Sequence, residues 1–133
     1  ILALGRSKVE VCIETLMMLD SLDMQEKHRE LIVEKCTTAI ENQIVITHGT
    51  DTMTNTARVL GAMHFKKTIV LTGAMIPYKF GTSDGLFNIA SALAYVQTLP
   101  HGVYIAMNGR VFLHDKVTKN RETGIFEKRK WMI

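Results

Sequence analysis

Short apolar runs alternate along this chain with segments in which apolar residues recur at helical spacing. The runs at 43–47, 67–72 and 102–107 have no polar face, which is typical of strands covered on both sides of a parallel sheet. Residues 9–19 instead alternate between apolar and polar side chains. That alternation predicts a strand with one solvent-exposed face.

Helical spacing of apolar residues fills the intervals between the runs. It predicts helices at 24–41 and 52–63, and a third that begins at Ser83 or Asp84 and ends near residue 99. Residues 111–113 follow an Asn-Gly turn pair, so we expect them to pair back on the preceding strand. A weak strand is predicted around 124–126, within the charged region 116–133, and a loop at 73–81.

The predicted order is β-α-β-α-β-α-β, which is typical of an α/β domain. We therefore predict a Rossmann-like or flavodoxin-like layered domain, with a mostly parallel sheet and helices on both faces. A length of 133 residues is sufficient for one domain and short for two.

Composition and charge narrow the range of partners. The net charge of +3 is modest, and the single basic cluster, 128–130, gives poor support for a nucleic-acid surface. Cys12 and Cys36 have no metal-ligand spacing and no disulfide framework, which predicts buried or half-buried free thiols in a reducing compartment. No apolar run is as long as a membrane span, and no signal-peptide pattern precedes Arg6. We expect a cytoplasmic protein with neither nucleic acid nor membrane as a partner.

Small and polar residues follow the predicted strands at the points where the chain turns into a helix. Thr50 and Asp51 come after the run 43–47, Ser21 comes after 9–19, and Ala74 comes after 67–72. Ligands of open parallel sheets bind outside the carboxyl ends of the strands. The sequence therefore predicts a site at this edge, although any one Thr or Asp is more simply explained as a helix cap.

A threonine hydroxyl becomes a nucleophile only when another group accepts its proton. Asp51 is adjacent to Thr50, and adjacent side chains diverge, so a more distant base is required; Lys119 is a candidate. A lysine serves as a base only where desolvation or nearby positive charge lowers its pKa. On spacing alone, a solvated surface lysine is the better interpretation of Lys119.

Other chemistry has less support in the sequence. His48 is adjacent to Gly49 and is a candidate base, but a structural residue whose ring hydrogen-bonds a backbone group is an equally good interpretation, so we leave it out of the chemistry. The sequence contains no P-loop, no glycine-rich dinucleotide fingerprint and no paired His or Cys ligands. We therefore expect neither a cofactor nor a metal ion.

Five motifs, in order and at matching spacing, resemble the bacterial-type L-asparaginase/glutaminase family. Residues 47–53, THGTDTM, are similar to the second signature of that family. The other four are DSLDM at 20–24, TGAMIP at 72–77, SDGLFN at 83–88 and VTK at 117–119, which resemble the substrate loop, the Gly-Ala-Met-x-Pro loop, the following helix start and the catalytic-lysine position. The resemblance covers about residues 9–126 and is far more specific than any single motif.

The resemblance implies hydrolysis of L-asparagine to L-aspartate and ammonia by a threonine-based mechanism. It implies that Thr50, Asp51 and Lys119 form the catalytic set. L-Glutamine is the second candidate substrate, and no cofactor is implied.

The resemblance also implies how a substrate would be held. Asp51 would bind the α-ammonium group, and Ser21 the α-carboxylate with help from the backbone around Leu22. The backbone carbonyl of Ala74 would face the side-chain amide.

Several parts of the family pattern are missing from residues 1–133. These are the first signature, Thr-Gly-Gly-Thr-Ile, the tyrosine of the mobile lid, and the C-terminal domain that helps complete each site across a dimer interface. The resemblance therefore predicts a single partial N-terminal domain with weak or no activity alone, in a homo-oligomer. Loss of the first strand would expose a strand edge, which predicts marginal stability or self-association.

Two alternatives stay open at this point. The first is a non-catalytic remnant that binds aspartate or asparagine, or that associates with a full-length asparaginase. The second is an amidotransferase-type relative, which releases ammonia for misacylated tRNA.

Overall fold

A computed structural model describes residues 6–76 and 83–129 of the chain. Its main element is a four-stranded sheet in the order β1-β2-β3-β4. The first three strands are parallel, and β4 pairs antiparallel with β3 across a turn at Asn108 and Gly109. The strands are β1 (Gln43–Thr47), β2 (Thr68–Thr72), β3 (Gly102–Met107) and β4 (Arg110–Leu113).

Three helices connect and cover these strands, and a 3-10 helix at Ser21–Asp23 precedes them. They are α1 (Glu26–Thr38), α2 (Met53–Gly61) and α3 (Gly85–Val96). The predicted α/β class with a mostly parallel sheet is confirmed. The predicted helices each exist, although all three are shorter than predicted at one end or both.

The central strand β2 is buried along its whole length and contributes to a core on each face. Ile69 and Leu71 lie in one apolar cluster with residues of α1 and α2. Val70 points to the opposite face, where it packs with Ala92 and Val96 of α3. Because successive side chains of a strand alternate between faces, one β-branched and apolar run supplies both layers.

A small hairpin completes the part of the chain that the structure describes. β5 (Val117–Lys119) pairs antiparallel with β6 (Phe126–Lys128), and Val117 and Phe126 are buried in the same core as α2. The turn closes through the Asn120 side chain, whose Oδ1 accepts from the N–H groups of Glu122 and Thr123. The weak strand predicted at 124–126 is therefore present, but shifted toward the C-terminus.

The predicted strand at 9–19 is wrong, because these residues form neither a helix nor a strand. A strand needs a partner for its backbone N–H and C=O groups. Among the residues described here, the sheet ends at β1, which pairs only with β2. Val11 and Ile13 stay exposed, while Leu16 and Met17 pack against the core. Cys12 is exposed in the same unpaired segment, so its predicted burial is wrong, whereas Cys36 is buried as predicted.

Two other predicted features lie outside the described residues in part. These are the end of the loop at 73–81, beyond Ile76, and the end of the basic cluster 128–130, beyond Arg129. Where the structure describes helices, none is both long and apolar enough to span a bilayer.

We predict that Leu71→Ala lowers the free energy of unfolding by about 2–5 kcal/mol, because its fully buried side chain would leave a cavity under β2. Urea denaturation followed by circular dichroism measures the loss. Leu113→Ala is the control: its side chain is 39% exposed, so its truncation should cost much less. Equal losses in the two variants would contradict the central position of β2 in the core.

Candidate functional site at the carboxyl ends of β1 and β2

The loop after β1 packs against the segment around Ser21 at a distance that only glycine permits. A Cβ atom on Gly49 would lie 2.6 Å from the Ser21 Cβ and 3.0 Å from its backbone nitrogen. Any other residue would push the two segments apart. The glycine of THGTDTM therefore has a packing role, which brings Thr50 and Asp51 next to the Ser21 turn.

Ser21 joins the two segments by hydrogen bonds. Its Oγ accepts from the Thr52 N–H at 3.0 Å, and the Thr52 hydroxyl donates to the Ser21 carbonyl oxygen at 2.8 Å. Ser21 is 2% exposed, whereas the Leu22 side chain that follows is 68% exposed. The Leu22 N–H donates to the Asp20 carboxylate at 3.0 Å, which caps the 3-10 helix.

Lys119 reaches the loop after β1 from the β5–β6 hairpin. Its Nζ donates to the Thr50 Oγ1 at 3.0 Å and to the Asp51 Oδ1 at 2.8 Å. The Lys119 side chain is 9% exposed and that of Asp51 is 36% exposed. Lys119, which lies more than sixty positions along the chain from Thr50 and Asp51, thus joins them in one connected cluster.

The electrostatics of this cluster centre on Asp51. Its hydrogen bond with Lys119 lowers the pKa of the Asp51 carboxyl below its ordinary value, against a smaller opposing effect of burial. The charges of Lys119 and Arg121 add to the lowering. The Asp51 carboxylate is therefore ionised at neutral pH and is held beside Lys119.

Arg121 is a member of the cluster that sequence reasoning missed. One guanidinium nitrogen donates to the Asp51 backbone oxygen at 2.8 Å, and another lies 3.4 Å from Asp51 Oδ1. Its side chain is 64% exposed. The only sequence signal for it is its position two residues after Lys119, in a region whose composition is that of a charged loop.

Ala74 lies just after the end of β2, and the loop that carries it touches the loop after β1. A Cβ atom on Gly73 would overlap the backbone oxygen of His48, so glycine is required at this contact. Asn88 fixes the carbonyl group of Gly73, the residue before Ala74, because its Nδ2 donates to Gly73 O at 2.8 Å. Asp84 holds the amide after it, because its Oδ2 accepts from the Met75 N–H at 3.0 Å.

His48 makes the contacts of a structural residue, which is one of the two interpretations that the sequence left open. Its ring is buried, with Nδ1 2.7 Å from the Gly49 carbonyl oxygen and Nε2 2.8 Å from the Thr56 hydroxyl. Burial lowers the pKa of His48, and the nearby charge of Arg29 lowers it further, against the opposing effect of the Gly49 hydrogen bond. A neutral ring that donates from Nδ1 and accepts at Nε2 satisfies both contacts.

Two further observations delimit the site. In the ranges 6–76 and 83–129, no three His, Cys, Asp or Glu side chains come close enough to hold a metal ion. An open cleft of about 700 Å³ is lined by residues such as Gln43 and Thr68, at the amino ends of β1 and β2. It therefore lies at the edge opposite Thr50 and takes no part in the cluster.

The sequence of this chain matches a known family over almost its whole length. The family model described as "Asparaginase, N-terminal" matches residues 3–127. The chain belongs to the asparaginase family.

Individual asparaginases agree with this assignment in sequence and in structure. The glutaminase-asparaginase of Acinetobacter glutaminasificans is 34% identical over 119 residues, which are 86% of this chain and 35% of the relative. The solved structure of the thermostable L-asparaginase from Thermococcus kodakarensis matches with a TM-score of 0.87 and 30% identity, and the match covers 98% of this chain and 43% of that one. The chain thus spans less than half the length of these asparaginases.

One matching relative has a different name. A glutamyl-tRNA(Gln) amidotransferase component from Methanococcus vannielii is 38% identical over 95 residues, which are 68% of this chain and 22% of the relative. The amidotransferase branch that the sequence left open is therefore also a relative of this asparaginase chain.

We predict that Lys119→Met raises the pKa of the Asp51 carboxyl toward its ordinary value, because the main cause of its lowering is removed. The pKa of Asp51 is lower in the folded state than in the unfolded state. The Lys119–Asp51 pair therefore contributes its full stabilisation at pH values above the unfolded-state pKa of Asp51. That contribution is lost as the pH falls through the folded-state pKa. A ¹³C NMR titration measures the change, with the exposed Lys116→Met as control. An unchanged Asp51 titration in Lys119→Met would contradict the contact.

We predict that Asn88→Leu lowers the free energy of unfolding by about 1–3 kcal/mol, because it leaves backbone groups without their partners. Asn88 is fully buried, donates to Gly73 O and accepts from the Asn108 N–H at 3.0 Å. Amide exchange at Asn108 should accelerate as well. Asn55→Leu, at an exposed position of α2, is the control. Unaltered exchange at Asn108 would show that Asn88 does not hold that loop.

Proposed function

We propose that this chain carries the Thr-Lys-Asp part of an L-asparaginase site and takes part in hydrolysis of L-asparagine to L-aspartate and ammonia. The observation that carries the proposal is the position of Lys119 Nζ between Thr50 Oγ1 and Asp51 Oδ1. Because the chain spans 35% of one asparaginase and 43% of another, we expect weak or no turnover by these residues alone.

In the proposed reaction Thr50 is the nucleophile. Lys119, once it has lost a proton, takes the hydroxyl proton of Thr50 as Oγ1 attacks the amide carbon. The C–N bond breaks, the amide nitrogen receives the proton from Lys119 and leaves as ammonia, and water then hydrolyses the ester on Thr50. Asp51 stays ionised throughout and orients Lys119, and backbone N–H groups would stabilise the oxyanion.

The substrate would be held by its charged end. Asp51 would bind the α-ammonium group, and the Ser21 hydroxyl, which still has a proton to donate, would bind the α-carboxylate. The Leu22 N–H is already engaged with Asp20, so a contact from Leu22 backbone requires that cap to open. The Ala74 carbonyl would accept from the substrate amide. Fixing the substrate in this way would place its amide carbon near Thr50.

The relatives support the asparaginase proposal more than its alternatives. The family model and both asparaginases match most of the chain, whereas the amidotransferase relative matches a smaller share of it. A remnant that binds aspartate or asparagine without hydrolysis would retain the same cluster. Assembly as a homo-oligomer and a cytoplasmic location stay predictions.

We predict that any ammonia release from L-asparagine by the chain, however slow, falls roughly 10²-fold or more in Thr50→Ala and in Lys119→Met, because nucleophile and base are lost. A coupled ammonia assay over hours measures it. Thr37→Val and Lys116→Met are controls, since both side chains are exposed. Ammonia release that persists in Thr50→Ala would refute the nucleophile. L-Aspartate binding without any ammonia release would identify the remnant.

A further inference from the structure

Arg121 makes a two-point contact with the residue proposed to receive the substrate's ammonium group. Its guanidinium donates to the Asp51 backbone oxygen at 2.8 Å and lies 3.4 Å from the carboxylate Oδ1. The same Oδ1 accepts from Lys119 at 2.8 Å. Two cations therefore share one carboxylate oxygen.

The position of Arg121 follows from the hairpin and not from a long flexible loop. Lys119 pairs with Phe126 across the β5–β6 ladder, and the Asn120 N–H donates to the Ile125 carbonyl at 2.8 Å. Arg121 begins the turn that this pairing closes. Its backbone is thus held beside the site, while its side chain extends over Asp51.

The charges around Asp51 differ from those around a single carboxylate that binds an ammonium group. A lone carboxylate attracts an ammonium group, but the Asp51 carboxylate already faces two positive side chains. Within residues 6–76 and 83–129, Asp51 is the only acidic side chain that forms an ion pair with Arg121. An incoming α-ammonium group would therefore be the third cation at one carboxylate.

We infer that Arg121 competes with the substrate's α-ammonium group for Asp51 and thereby weakens the preference of the site for α-amino acids. The inference rests on the proposed function, because it takes Asp51 as the ammonium-binding residue. A ligand with an α-ammonium group binds Asp51 more tightly once Arg121 has moved from the carboxylate, because one competing positive charge is then removed. Carboxylates and carboxamides that lack this group bind without that displacement.

Because the Arg121 side chain is exposed, it can leave Asp51 and return. With 64% of its side chain exposed, Arg121 can swing into solvent without a change in the core. Ion pairs of this exposed kind alter equilibrium constants by about two- to fivefold. Lys119 is 9% exposed and packs within the cluster, so Arg121 is the cation that yields.

The test compares two ligands that differ only in the ammonium group, L-aspartate and succinate. Isothermal titration calorimetry of the 133-residue chain gives a Kd for each, in the parent and in Arg121→Gln. We expect the ratio of the L-aspartate Kd to the succinate Kd to fall about two- to fivefold in Arg121→Gln. Arg58→Gln removes the same charge at an exposed position of α2 and should leave the ratio unchanged.

A double-variant cycle shows whether the effect acts through Asp51. In an Asp51→Asn background, Arg121→Gln should no longer alter the ratio. If Arg121→Gln weakens both ligands by the same factor, Arg121 is an anion contact and the competition is refuted. If the ratio is unchanged while both ligands bind, the inference alone fails. If neither ligand binds to any variant, the proposed function and the inference both fail.

Discussion

Burial of β2 on both faces is the constraint on which the rest of this structure depends. All five of its residues are buried, so β1 and β3 must lie on either side and helices must cover both faces. Its two polar side chains at the ends are satisfied internally, with Thr68 donating to Leu99 O and Thr72 to Ala106 O. Because β1, β2 and β3 run parallel, their carboxyl ends meet at one edge, and the loops that follow them converge there.

Close contacts between backbone segments then bring the loops at this edge together into the candidate site. Gly49 lets the loop after β1 contact the Ser21 turn, and Gly73 lets the loop after β2 contact the His48 carbonyl. The hairpin adds the third side, since burial of Val117 and Phe126 sets the position from which Lys119 reaches Thr50. The same short backbone contacts that close the core therefore also define where Thr50, Asp51 and Lys119 lie.

The sequence was sufficient to predict features that depend on neighbouring residues along the chain. It was insufficient to predict features that depend on a tertiary partner. The runs of β1, β2 and β3 lack a polar face, and that local property identifies parallel strands. Their burial depends on tertiary partners: β2 is buried along its whole length, whereas β1, at the end of the described sheet, is only half-buried. The alternation at 9–19 does not show whether a strand exists to pair with it, so that prediction failed. In the site, spacing gave Lys119 no more weight than any surface lysine, and its inclusion depended on the family resemblance. Arg121 was missed because its contact with Asp51 exists only once the hairpin has folded against the loop after β1.

In the proposed function, Asp51 has two roles whose requirements oppose each other. To orient Lys119 it must stay ionised and hydrogen-bonded to that side chain, and the lowered pKa of its carboxyl is consistent with this role. To bind an ammonium group it needs negative charge that Lys119 has not already neutralised. Arg121 adds a further cation and moves the balance toward the first role. Because the carboxylate has a second oxygen, Oδ2, outside the ion pairs at Oδ1, a ligand could still approach Asp51 while Lys119 stays in place. If Thr50 is the nucleophile as proposed, the geometry of the Asp51 carboxylate relates the reactivity of Thr50 to the class of ligand that binds beside it.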